Sequence, residues 1–210
     1  MRDAIGRIRD VAGPSLAATP PSWERLALSD GNKVELGELL EGHNGFYAFL
    51  SSLHVFPATN EATSIDIATW NEPTLWREKF SNITDGCIFF AEDLFGVQFA
   101  FRSDGIVRFN PDIATVVRVA DHLTAWAEHL MTNHREWTGW PLAEVWQRKH
   151  GAIHEGKRLY PKKPVVVGGD YSADNLYAGD PVERMRFYGD FAKQIRHLSD
   201  GTRIRLELAK

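Results

Sequence analysis

The chain has 210 residues, which suits one large domain or a domain with an appended segment. Hydrophobic residues make up 43% and charged residues 25%, a balance that is typical of a globular protein and excludes a mostly disordered or fibrous chain. The net charge is −4, from 24 basic and 28 acidic side chains, and no basic block is long enough to follow a phosphate backbone. We therefore expect no direct binding of nucleic acid.

The sequence predicts a protein of the cytoplasm that does not enter the membrane. No stretch approaches the roughly 18 apolar residues that a membrane span needs. Charged residues interrupt the first ten positions, so we expect no signal-peptide core there. The single cysteine, Cys87, cannot form a disulfide within the chain, which agrees with a reducing compartment.

Residues 1–30 are predicted to form a peripheral arm that either wraps the body or hangs loose, because prolines interrupt them and no hydrophobic period is sustained. From residue 31 to residue 210 we expect a single domain. Its first helix is predicted over residues 33–41, and a second over residues 71–80. Between them, residues 46–56 form an apolar run that belongs to the core, but its period fits a helix and a strand equally well.

The clearest strand patterns lie between Cys87 and Ala120. In the second of them, Val97, Phe99 and Phe101 alternate on one face. Turn-forming residues separate the strands, so consecutive strands are predicted to pair as an antiparallel meander. The predicted strands cover residues 88–91, 97–101, 106–109 and 115–119.

Helices dominate the remainder of the chain. Leu123, Trp126 and Leu130 lie on one face of a predicted helix, and Trp126 is expected in the core with Phe99 and Phe101. Two more helices are predicted over residues 142–150 and 181–198, and two short strands over residues 165–167 and 203–208. The order indicates an α+β fold: a mainly antiparallel twisted sheet with helices packed on one face.

The acidic pair Glu92 and Asp93 is the first candidate for catalysis. Two carboxylates can divide acid and base roles between them. Neighbouring residues of a strand point to opposite faces, however, so a charged role in an exposed turn is favoured for this pair. A hydrolase that uses Glu92 or Asp93 with one of the histidines stays open as the alternative function.

Metal and cofactor sites are not predicted. His150 and His154 have the spacing of two zinc ligands on one helix, but Gly151 lies between them and breaks the helix. No phosphate loop, dinucleotide fingerprint or nucleophile elbow occurs in the sequence. Cys87 begins an apolar strand and is expected to be an unreactive core residue.

Tryptophan is abundant, with 7 residues, and four of them lie close together in the chain. Such a cluster fills the seam between helices and a sheet, or it anchors a partner protein. Most of these side chains are expected in the core. Trp137 and Trp140 are the candidates for exposed anchors.

Residues 90–101, FAEDLFGVQFAF, and residues 105–111, GIVRFNP, resemble the central signature of the SUKH superfamily. These are the bacterial relatives of the yeast Smi/Knr cell-wall synthesis regulator. The resemblance covers roughly residues 33–130, and the chain from about residue 132 looks like a C-terminal extension of some bacterial members. Glu92 lies where the family often has Asn or Gly.

The resemblance implies an α+β domain without an active site or cofactor, used in bacteria as an immunity protein that neutralises a cognate toxin. Exposed carboxylates of Glu92, Asp93 and Asp104 are expected to meet a basic partner, with Trp137 and Trp140 as further contacts. The alternative hydrolase requires something different, namely a carboxylate and a second polar group that converge in a concave pocket.

Overall fold

A computed structural model of the chain describes residues 3–59, 61 and 65–195. Its centre is a six-stranded antiparallel sheet in which each strand pairs with the next strand along the chain. The strands are β1 (Phe46–Ala48), β2 (Leu53–Val55), β3 (Ile88–Asp93), β4 (Gln98–Arg102), β5 (Gly105–Asn110) and β6 (Thr115–Ala120). The α+β class and the antiparallel meander predicted from the sequence are confirmed.

Helices precede, interrupt and follow this sheet, and a second sheet of two antiparallel strands, β7 and β8, lies in the C-terminal part. In chain order the other elements are α1 (Ala4–Asp10), α2 (Asp30–Leu40), α3 (Ile67–Trp70), a 3-10 helix (Arg77–Thr84), α4 (Leu123–Thr138), α5 (Trp140–His150), β7 (Arg158–Pro161), a 3-10 turn (Val165–Val167), β8 (Leu176–Gly179) and α6 (Pro181–Ile195). Within the described part of the chain, no helix combines the length and the apolar character needed to cross a membrane.

The structure differs from several local predictions. The ambiguous run over residues 46–56 forms the β1–β2 hairpin. The helix predicted over residues 71–80 is absent: α3 ends at Trp70, turns follow, and the 3-10 helix begins at Arg77. The strand predicted over residues 165–167 is wrong: Gly168 and Gly169 donate their N–H groups back to Val165 and Pro164, which closes a tight turn instead. The strand predicted over residues 203–208 lies outside the described residues.

Helices cover both faces of the sheet, whereas the sequence predicted packing on one face. On one side, Trp126 of α4 lies against Phe90 and Phe99, with ring centroids 5.1 and 5.5 Å apart. On the other side, Trp76 packs on Phe89 at 5.2 Å. Adjacent residues of a strand point to opposite faces, so Phe89 and Phe90 serve two separate layers.

The N-terminal segment packs on the body of the protein, which is one of the two arrangements that the sequence left open for it. Ile5 and Ile8 of α1 are spaced three apart, lie on one helical face and are buried in the main core, where α1 packs against α4. The chain then runs along β1, where Gly13 N–H donates to the Tyr47 carbonyl at 2.7 Å. The arm therefore covers the β1 edge of the sheet.

A smaller apolar cluster joins the C-terminal part to the turn between β3 and β4. Leu94 lies in this cluster with Trp146 of α5 and Leu159 of β7. The Leu159 N–H also donates to the Leu94 carbonyl at 2.9 Å. As a result, β7 is held beside the end of β3, next to Glu92.

Candidate functional site

Glu92 and Asp93 are buried, which corrects the prediction that they lie in an exposed turn. Each has only 1% of its surface exposed. Strand β3 continues through Asp93, and one oxygen of the Asp93 carboxylate accepts hydrogen bonds from the N–H groups of Phe95 and Val97, at 2.8 and 2.9 Å. The chain therefore turns back only after Asp93, and neither carboxylate faces outward.

The other three predicted contact residues are more accessible. Asp104 is exposed and pairs with Arg102, whose Nε lies 2.7 Å from the carboxylate. Trp137 and Trp140 are half-buried. The Arg135 guanidinium stands 5.0 Å above the Trp140 ring. These three residues therefore stay candidates for partner binding.

Glu92 is the centre of a buried polar cluster that joins four strands. Its Oε1 lies 3.0 Å from His54 Nδ1 and 3.3 Å from Arg158 Nε. Its Oε2 accepts a hydrogen bond from Gln98 Nε2 at 3.0 Å. His54 lies opposite Glu92 in the β2–β3 register, and Gln98 lies opposite it in the β3–β4 register, so the sheet itself places these side chains on one face.

Arg158 ties the cluster to the C-terminal part of the chain. It is completely buried, and its Nη1 donates to the Ser51 carbonyl at 2.7 Å. Its guanidinium stands 5.0 Å from the centre of the Tyr47 ring. A buried carboxylate needs a paired cation and hydrogen bonds, and Arg158 supplies the positive charge next to Glu92.

His54 has one nitrogen bound and one nitrogen free. Burial lowers the pKa of His54, an effect that outweighs its hydrogen bond to Glu92, so the imidazole is neutral at neutral pH. A carboxylate accepts, so we assign the proton to Nδ1 and the lone pair to Nε2. Nε2 receives no hydrogen bond from the described residues, and it is not among their fully buried unpartnered atoms, so it is open to solvent.

His54 and Glu92 border a pocket of about 260 Å³. The described lining also includes the aromatic residues Tyr47, Phe56 and Trp70, and the residues Leu16, Ile65, Glu155, Gly156, Asp180 and Pro181. A carboxylate and an imidazole thus converge in a concave site, which is the arrangement that the hydrolase alternative requires. No Ser, Thr or Cys side chain is among the described residues of the lining, so the nucleophile would be water or one of the lining carboxylates.

The predicted zinc spacing does not form a site. Helix α5 ends at His150, which stacks on Trp146 at 4.6 Å, and His154 lies beyond the end of the helix. The two histidines therefore do not share a helical face. Within the described ranges, no group of three or more His, Cys, Asp or Glu side chains could hold a metal ion.

We expect Cys87 to react with thiol reagents only after unfolding. Its side chain is buried, with 2% exposed, so a reagent cannot reach the sulfur. Burial also raises the pKa of the thiol, which lowers the fraction of reactive thiolate. The measurement is labelling with a chromogenic disulfide at neutral pH, with and without guanidinium chloride. Rapid stoichiometric labelling of the native protein would contradict this expectation.

Asp93 is expected to make stability fall as pH rises from about 4 to about 6. Burial raises the pKa of Asp93 to about 6, although Arg108 and two backbone N–H groups oppose the shift. In the unfolded chain the pKa is about 3.9, so between these values the folded protein holds a proton that the unfolded chain has released. This stabilisation is present at low pH and is lost as pH rises through the folded pKa.

Asp93→Asn should therefore gain stability relative to the wild type between about pH 4 and pH 7, by up to about 3 kcal/mol, as measured by urea unfolding across that range. Asp104→Asn is the matched control. The pairing with Arg102 lowers the pKa of the exposed Asp104 carboxyl, so the stability of this variant relative to the wild type should change only at about pH 4 and below and stay constant where Asp93 titrates. A pH-independent difference between Asp93→Asn and the wild type would show that Asp93 is ionised throughout.

Comparison with known proteins indicates a shared fold. No family model and no curated protein matches the sequence. The structure is similar to the crystal structure of Atu4351 from Agrobacterium tumefaciens, with a TM-score of 0.53 over 89% of this chain and 87% of that chain. The two sequences are 10% identical, so the similarity concerns the fold alone.

Proposed function

We propose that the chain is a non-catalytic protein-binding domain that neutralises a bacterial toxin in the cytoplasm, as the resemblance of residues 90–111 to the SUKH superfamily implies. The observation that supports this most is the use of Glu92 and Asp93 inside the fold, where both side chains are engaged by neighbouring groups. The acidic pair of the resembling run thus has a structural role. The partner is a protein, and no cofactor, nucleic acid or membrane takes part.

A surface at the end of α4 is the best candidate for the toxin contact. Leu50 is 52% exposed, and the preceding residue, Phe49, stacks on His134 at 4.9 Å. His134 in turn lies 5.2 Å from the ring of Trp140. We call Leu50, His134, Arg135 and Trp140 the aromatic patch. Tryptophan and arginine are frequent among the residues that dominate binding energy.

The backbone beside this patch is strained and firmly held. Phe49, Leu50 and Ser51 have φ values of 52°, 57° and 64°, in the left-handed region that residues other than glycine seldom adopt. Gln147 Nε2 donates to the Leu50 carbonyl at 2.9 Å, and Arg158 holds the Ser51 carbonyl. Strain of this kind persists only where surrounding contacts impose it, and here it keeps Leu50 pointing outward.

The test is co-expression with each candidate toxin encoded near the gene for this chain. The wild type should co-purify with the toxin and restore growth, whereas Trp140→Ala and Leu50→Asn should weaken binding at least tenfold. Asparagine tolerates the left-handed conformation, so Leu50→Asn should keep its melting temperature. Val34→Ser, an exposed position with 62% exposure on α2, is the matched control and should bind normally. Failure of every neighbouring toxin to bind would refute the proposal.

A hydrolase is the second candidate, because His54 Nδ1 lies 3.0 Å from Glu92 and the free Nε2 borders the pocket. In that role Glu92 orients the imidazole and Nε2 removes a proton from a water molecule. Chromogenic ester, phosphate and glycoside substrates test it. Turnover that is lost in His54→Gln, in a variant with an unchanged melting temperature, would favour the hydrolase over the binding domain.

A further inference from the structure

The pocket beside His54 has walls suited to a short aliphatic chain. His54 stacks on Tyr47 at 4.4 Å and meets Phe56 edge-on at 4.4 Å, and Phe56 stacks on Trp70 at 5.0 Å. Leu16, Ile65 and Pro181 add aliphatic surface. Common small-molecule sites have volumes of about 300–1,000 Å³. This pocket, with about 260 Å³, is smaller and fits a group of a few heavy atoms.

The charged side chains among the described lining residues are all acidic. Glu155 and Asp180 come from the C-terminal part of the chain, and Glu92 comes from β3. Lys157 approaches Asp180 at 3.5 Å and Arg158 pairs with Glu92, but neither cation is among the described lining residues, and Glu155 has no ion pair with them. A negatively charged ligand would be repelled here, whereas a cation would be attracted.

A hydrogen-bond acceptor without a protein partner among the described residues lines the pocket. His54 is only 7% exposed, and its Nε2 receives no hydrogen bond from the described residues. Nε2 is not among the fully buried unpartnered atoms, so it is open to the space of the pocket, where a ligand that donates a proton to it takes the place of water. The neutral imidazole does not repel a cation.

We propose that this pocket binds a primary alkylammonium group, which donates hydrogen bonds to His54 Nε2 and to a carboxylate at the rim while its alkyl chain lies against Ile65 and Pro181. The acidic rim favours a cation over an anion or a neutral alcohol, the free acceptor requires a donor, and the aliphatic wall accommodates the alkyl chain. The group belongs either to a free amine or to a lysine side chain of the toxin. The lysine source rests on the proposed function, and the free-amine source does not.

The test uses n-butylammonium chloride as the probe, titrated into the purified full chain and followed by the ¹⁵N shift of His54 Nε2. Sodium butyrate and n-butanol at matched ionic strength are the control ligands. We expect saturable binding of butylammonium alone. Binding no tighter than that of n-butanol would overturn the proposal.

Two pocket variants test whether butylammonium binds in this pocket. Leu16→Trp fills the pocket and should abolish binding of butylammonium, and Glu155→Gln, on an exposed side chain, should weaken it about three- to tenfold because one rim charge is removed. Glu128→Gln, an exposed position on α4, is the matched control and should have no effect. Affinity that is unchanged in both pocket variants would overturn the proposal.

The two sources are then separated with the toxin. If the ligand is a toxin lysine, saturating butylammonium competes with toxin binding and Leu16→Trp weakens the complex. If the ligand is a free amine, toxin binding is unaffected by both. The butylammonium titration needs no toxin. Failure of toxin binding therefore does not contradict the amine site, and failure of the titration does not contradict the immunity function.

Discussion

Trp126→Ala should lower the free energy of unfolding by about 3–5 kcal/mol. Trp126 has no exposed surface and fills the space between α4 and the sheet, where its ring contacts Phe90 and Phe99. Removal of the indole leaves a cavity that the surrounding strands cannot fill. Urea unfolding followed by circular dichroism measures the change.

Trp126→Phe is the matched control for this effect. Phenylalanine keeps an aromatic ring against Phe90 and Phe99, and it removes an indole N–H that is buried without a hydrogen-bond partner in the described part of the chain. We therefore expect a loss less than half as large as that of Trp126→Ala. An alanine variant as stable as the wild type would show that α4 contributes little to the core.

Arg158→Met should have an effect of similar size, about 3–5 kcal/mol, because it leaves the Glu92 carboxylate buried without its paired cation. The side chain of Arg158 has 1% of its surface exposed and that of Glu92 has 2%, so water cannot take the place of the missing charge. The hydrogen bond to the Ser51 carbonyl is lost as well. The measurement is again urea unfolding at neutral pH.

A double variant isolates the charge pairing from the loss of packing. Glu92→Gln together with Arg158→Met removes both charges, so it should be more stable than the sum of the two single losses predicts. The difference is the coupling energy of the pair. A coupling energy near zero would mean that the arginine acts through Ser51 and Tyr47 alone.

The sheet could be predicted from local pattern, but the environment of Glu92 could not. The alternation of Val97, Phe99 and Phe101 is a property of neighbouring residues, and the structure places a strand there. Burial of Glu92 depends instead on Arg158, which lies far along the chain in β7. If the position of β7 is unknown, the general rule that an acidic residue beside a turn is exposed applies. Glu92 departs from that rule because β7 brings Arg158 to it.

His54 was missed as the partner of Glu92 for a related reason. Its position opposite Glu92 follows from the β2–β3 register, and that register depends on where the β1–β2 hairpin turns. The turn uses Phe49, Leu50 and Ser51, none of which is a residue that usually marks a left-handed turn. The apolar run from Phe46 to Phe56 therefore lacks the Gly, Asn or Asp that would have located a left-handed turn.

The contact between α1 and α4 has a consequence for synthesis of the chain on the ribosome. Helix α1 ends at Asp10 and packs against both α2 and α4, but more than one hundred residues separate it from the start of α4 at Leu123. At about 5–20 residues per second, α1 waits roughly 5 to 20 s before α4 is made. During this interval α2 is the only one of these two partners that has been made, so the part of the α1 surface that α4 covers stays exposed on the nascent chain.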